Sequence, residues 1–186
     1  MQIVAEAGAD RDSWSNSDVV TDAGTAGFVH GPWGNDVQDM EKTFSVPAGI
    51  TQCTVSWRSW SIDSRDNEWD RVFVDGAEVW AAQARASRRG NWLTCCDDFP
   101  QRQGSSPDVH FQDVSVEVAC SGSLVVRFNS EINQGINDEA WAFSNVRIAE
   151  SPNQRSCLAG GAGTTSPHPP KSLPLPKWTT FEAQRT

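Results

Sequence analysis

The chain has 186 residues, 38% hydrophobic and 21% charged, the balance of one globular domain with a sizeable core rather than a disordered or fibrous chain. Its net charge is −9. Residues 151–186 hold four cations against Glu182, a net of +3, so the first 150 residues carry −12. This argues against a phosphate-backbone footprint and against electrostatic attachment to anionic lipid, and it suits cations or a basic protein partner, although acidic surfaces also serve solubility alone.

The first residues, Met1 to Ala7, read as a strand, with no basic n-region or long apolar h-region. That pattern fits a mature or excised form of an extracellular, cell-surface or lumenal protein better than a cytoplasmic one. No apolar run reaches the length of about 20 that spans a bilayer, so no direct membrane insertion is expected. Nine Trp and eight Phe, with no Tyr, can fill a β-sandwich core and leave a surface platform.

His30-Gly31-Pro32-Trp33-Gly34-Asn35-Asp36 predicts a tight turn with an exposed indole. Trp33 beside Asn35 and Asp36 can stack on a sugar and hydrogen-bond its hydroxyls; the alternative is a Trp covering the sandwich edge. Next, Cys53, Val55 and Trp57 alternate with polar residues, whereas Trp60 and Ile62 take the opposite parity. The switch predicts a bulge or bend near Ser59.

Asp63 to Asp70 then packs four carboxylates and Asn67 into eight residues. Hard oxygen ligands at that density suit calcium, which takes six to eight oxygens. The spacing misses the EF-hand pattern and lacks its glycine. A jelly-roll calcium site would take one or two of these side chains, main-chain carbonyls and a distant residue. Otherwise the loop is an exposed acidic turn paired with Arg65 and Arg71.

Val72 to Val74 and Glu78 to Trp80 flank Asp75-Gly76, a hairpin signal. The best helical stretch is Val79 to Arg89. Val114 to Cys120 and Leu124 to Phe128, joined by Ser121-Gly122-Ser123, also look like a hairpin. The last strand runs from about Ala140 to Ile148, opened by Asn137-Asp138-Glu139. This second acidic segment and the first are expected to meet at one end of the sandwich, which gives the metal set Asp63, Asp66, Glu68, Asp138 and Glu139. Trp69 is a further ligand-binding candidate.

The five cysteines, Cys53, Cys95, Cys96, Cys120 and Cys157, form no CxxC pair, and with three His a zinc site is not expected. Two disulfides and one free thiol, hence an oxidising compartment, is the favoured reading. Five buried, reduced cysteines in a cytosolic protein is the other. Gly160 to Pro176 is Gly- and Pro-rich and reads as extended. Behind it, Trp178 and Phe181 suggest a strap that docks on its own domain or a neighbour; a disordered tail is the alternative.

Eight to ten short strands in 150 residues predict an all-β fold: an antiparallel β-sandwich of jelly-roll type over 1–150, with an extended Pro-rich tail over 151–186. No nucleophile elbow, phosphate loop or zincin motif is present, so no enzyme is expected.

The blocks Gly31 to Val37, Glu41 to Phe44, Ile62 to Glu68, Val74 to Trp80 and Asn137 to Val146 resemble those of a jelly-roll module that recurs in extracellular and ciliary or flagellar surface proteins of protists and algae, distantly similar to MAM and lectin-like sandwiches. The resemblance covers roughly residues 1–150. It implies a non-enzymatic binding or adhesion module with calcium. Ser144 stands where such modules often have Asp, which implies weak ion binding here or none. The expected function is a calcium-stabilised binding or structural module of an extracellular or lumenal assembly. The alternatives are a carbohydrate-binding lectin-like domain, an accessory subunit of a large complex anchored by its tail, and, last, a glycoside hydrolase or lyase. A protein partner or a glycan is expected, and no nucleic acid.

Overall fold

The computed structural model describes residues 3–7, 14–15, 19–85, 92–95 and 109–152. The Pro-rich tail, with Trp178 and Phe181, lies outside them. Among the described residues there are eleven strands: β1 (Ile3–Ala7), β2 (Val20–Asp22), β3 (Phe28–Trp33), β4 (Asp39–Ser45), β5 (Gln52–Asp63), β6 (Asp66–Val74), β7 (Ala77–Arg85), β8 (Leu93–Cys95), β9 (Val109–Ala119), β10 (Ser123–Ser130) and β11 (Glu139–Glu150).

They form two antiparallel sheets. The larger runs β2-β3-β11-β5-β9-β8, with β1 pairing β11 further along; the smaller runs β4-β10-β6-β7. Eight of the strands, β3-β11-β5-β9 over β4-β10-β6-β7, have the two interlocked Greek keys of a jelly roll. Among the described residues, no helix is long and apolar enough to cross a membrane.

Period-2 alternation builds the core. Cys53, Val55 and Trp57 of β5 face Val72 and Val74 of β6 and Leu124, Val126 and Phe128 of β10 between the sheets. Phe128 stacks on Phe143 with ring centroids 4.1 Å apart, and Trp14 meets Phe143 edge-on at 4.7 Å. The Cys53–Cys120 disulfide lies in this core, and Cys95 is disulfide-bonded as well. The expectation of disulfides therefore holds for these three cysteines.

Asp75-Gly76 makes the expected hairpin, both residues at positive φ (48° and 81°), as a type I′ turn requires. Three other expectations are corrected. Residues 79–85 of the helical stretch are strand β7, because that hairpin commits them to pair with β6; 86–89 lie outside the described residues. β9 and β10 are not a hairpin. They belong to different sheets, and the exposed Ser121 to Ser123 link leads from one sheet to the other. β5 has no bulge near Ser59: its ladder with β9 is unbroken from Gln52 to Ile62. Trp60 and Ile62 instead face a second apolar layer on the outer side of the larger sheet, with Ala23, Val29, Val109, Ala140 and Ala142. The bulge is in β11, between Ser144 and Arg147, where Asn145 has φ 56°.

Candidate functional site

Three connections meet at one end of the sandwich. The β3–β4 loop docks on the β10–β11 loop: Asn35 donates from its main-chain N–H to Gln134 O at 2.9 Å and from Nδ2 to Asn133 O at 3.0 Å, and Gln38 Nε2 donates to Ile132 O at 2.7 Å. The two-residue β5–β6 turn joins them when Ser64 Oγ donates to Asp138 O at 3.2 Å. These loops roof the space between the sheets.

Beneath the roof the inner face turns polar. Along β5 the inward parity of Cys53, Val55 and Trp57 continues as Ser59, Ser61 and Asp63, all buried. On β11, Glu139 shares the parity of Trp141 and Phe143, and it is the register partner of Asp63. On β6, Glu68 and Asp70 share the inward parity of Val72 and Val74 and are buried too.

One cation serves this group. Arg65, 1% exposed, reaches in from the turn. Its Nη2 donates to Asp70 Oδ1 at 2.9 Å and to Ser130 Oγ at 3.2 Å, and its Nε faces Glu68 Oε2 at 3.5 Å. Glu68 also accepts from the Asp66 N–H at 2.7 Å and from Asn133 Nδ2 at 3.2 Å. Ser130 Oγ donates to Asp70 Oδ1 at 2.6 Å. Glu139 is the exception: it is 0% exposed, and neither carboxylate oxygen accepts a hydrogen bond. Burial pushes its carboxyl up to about 7, the Glu68 charge adds to the rise, Arg65 opposes it, and Asp66 and Asp138 raise it further.

The two acidic segments thus come together, but not as a five-carboxylate cage. Asp66 and Asp138 are exposed at the rim, while Asp63, Glu68 and Glu139 are sealed inside. No three His, Cys, Asp or Glu side chains among the described residues are placed to hold a metal ion. Arg65 is the cation for Glu68 and Asp70; it was expected only as a partner for an exposed turn, and it is buried. Ser144 does not bear on this group. It lies on the opposite face of β11, where its hydroxyl accepts from Trp60 Nε1 at 2.9 Å.

Trp33 is 3% exposed and packs on Trp141 at 5.0 Å, so the expected exposed indole is core instead. The turn starts at Gly34, one residue past the end of β3, and leaves Asn35 and Asp36 exposed. Among the described residues, Trp69 is the exposed indole, at 37%. It stands on the outer face of the smaller sheet with Arg71, whose guanidinium lies 5.2 Å from its ring. Arg71 is held by Glu78 at 2.8 Å and Glu131 at 3.0 Å. Next along the face, Arg127 lies 4.2 Å over Phe73.

No protein-family model and no curated protein matches the chain. Among solved structures, it is similar to a family GH115 4-O-methyl-α-glucuronidase with specificity for decorated arabinogalactans (TM-score 0.45, 11% identity, 81% of this chain and 18% of that one). It is also similar to an exo-β-1,3-galactanase from Phanerochaete chrysosporium (TM-score 0.40, 13% identity, 80% and 29%) and to the Agl-KA catalytic domain (TM-score 0.41, 12% identity, 82% and 28%). The chain spans less than a third of each. Likeness at these scores carries no functional argument, and the fold rests on the strand order itself.

Proposed function

We propose that the chain is a non-enzymatic recognition module that binds a glycan on the outer face of the smaller sheet, centred on Trp69. One observation carries this reading: Trp69 is the most exposed indole among the described residues, at 37%, beside side chains already fixed by ion pairs. A flat ring suits the apolar side of a sugar, and preset donors and acceptors suit its hydroxyls without a further ordering cost. The Cys53–Cys120 disulfide supports an oxidising, extracellular or lumenal setting, as the family resemblance implies.

Two features support the absence of catalysis. Glycoside hydrolysis needs two carboxyls on an open face about 5–9.5 Å apart. Asp63 and Glu139 are sealed from substrate, and Glu78 and Glu131 are both held by Arg71.

A glycan array followed by calorimetric titration tests the reading. Trp69→Ala is expected to weaken a hit at least about tenfold, as for a central aromatic anchor. Binding that survives Trp69→Ala, or an array without a hit, rejects it.

A further inference from the structure

We propose that the polar end of the sandwich interior is a binding site for one hard divalent cation of the calcium class, held between Glu139 and Asp63 and not by the acidic loop as a whole. The inference is independent of the glycan reading.

The first support is Glu139 itself. It is wholly buried and its two oxygens have no donor. A carboxylate sealed without a partner is costly, and native interiors rarely leave one so. Asp63 is its register partner, and both side chains are buried at this end of the sandwich. A second support is the oxygen next to them. Ser61 Oγ, one inward position back along β5, is buried and has no partner, and the same is true of Asp70 Oδ2.

Charge counting points the same way. Glu68, Asp70 and Glu139 are buried around Arg65, which pairs with the first two. Fully ionised, these four side chains carry −2, and a divalent ion would neutralise them. Arg65 is the rival compensator, since its Nη1 has no acceptor and belongs to the same buried cluster. Two of its nitrogens are already committed to Glu68, Asp70 and Ser130. Because no three carboxylates converge, hydroxyl and main-chain oxygens must complete the shell. The affinity should then match that of extracellular modules, with Kd about 10⁻⁴–10⁻³ M.

The test is thermal unfolding of the full chain in EDTA and in calcium chloride. Calcium at ten times Kd is expected to raise Tm by about 3–6 °C. Glu139→Gln keeps the shape but removes the charge; it should abolish the calcium shift without lowering Tm in EDTA. Asp138→Asn, at the rim, should keep the shift. Terbium, as a calcium stand-in, should show Trp-sensitised emission that wild type has and Glu139→Gln lacks. Three results overturn the proposal: a wild-type Tm indifferent to calcium, a shift that persists in Glu139→Gln, or a shift lost in Asp138→Asn alone. If Tm ignores calcium while Glu139→Gln raises it, Arg65 and a proton are the only compensation.

Discussion

Glu139 and Asp63 are register partners on the inner face of the β5–β11 ladder, and Glu139 has no hydrogen-bond donor on either oxygen. The consequence in metal-free buffer is a pH-dependent stability. The Glu139 carboxyl rises from 4.5 to about 7 in the folded chain, chiefly by burial and then by the Glu68 charge. The folded state therefore holds this proton more tightly than the unfolded one. The stabilisation is full below about pH 4.5 and is lost as pH rises through about 7. In EDTA, Tm should fall between pH 5 and pH 8, and Glu139→Gln should flatten that slope. A wild-type slope equal to the variant's would show that Glu139 does not titrate in this window.

Arg65 should be the most sensitive cation among the described residues. Its removal leaves Glu68 and Asp70 buried without a cation. Breaking such a pair costs about 3–5 kcal/mol, so Arg65→Met should lower Tm by about 10 °C or more. Arg65→Lys keeps the charge but loses the fork that spans two carboxylates, and it should fall between. The control is Arg71→Met. Arg71 bridges Glu78 and Glu131 on the surface, where solvent screens the pairs, and its loss should leave Tm within error.

Alternation made the strands and the jelly-roll class legible, and it also held a clue to the site. Glu68 and Asp70 continue inward the parity of Val72 and Val74, and Glu139 continues that of Trp141 and Phe143. Read by parity and not as loop residues, they announce buried carboxylates before any fold is known. Sheet membership had no such signal. β9 and β10 alternate equally well side by side or face to face across a core, and only tertiary packing selects the second. The Trp60 and Ile62 parity switch was visible, but a bulge and a second apolar layer produce the same pattern. Helix propensity is a weak preference, and over residues 79–85 the Asp75-Gly76 turn overrode it.

The Cys53–Cys120 bond closes a chain loop with a sequence separation of 67 and is buried in the main core. Loop-closure entropy for that span gives about 4 kcal/mol. Cys53→Ala with Cys120→Ala should therefore lower Tm by about 10 °C, with the small cavities left by the sulfurs adding to the loss. A double variant that melts with wild type would show that the packed core of Trp57, Phe128 and Phe143 is sufficient without the bond.

Gly34 is where the β3–β4 and β10–β11 loops meet over the polar end of the sandwich. A Cβ there would run into the main chain of Ile136, while one on Gly135 would meet nothing within 4 Å. The backbone of the β10–β11 loop cannot yield cheaply, because Asn35 and Gln38 hold it to the β3–β4 loop through Gln134, Asn133 and Ile132. Gly34→Ala must force the two loops apart, at a cost of about 1–3 kcal/mol. Gly135→Ala should leave Tm unchanged. Opening the roof also admits water to Glu139, so Gly34→Ala should weaken the pH dependence of Tm in EDTA, which loss of packing elsewhere would not do. A Gly34→Ala chain as stable as wild type, with an unaltered pH profile, would show that the loops do not seal the acid group.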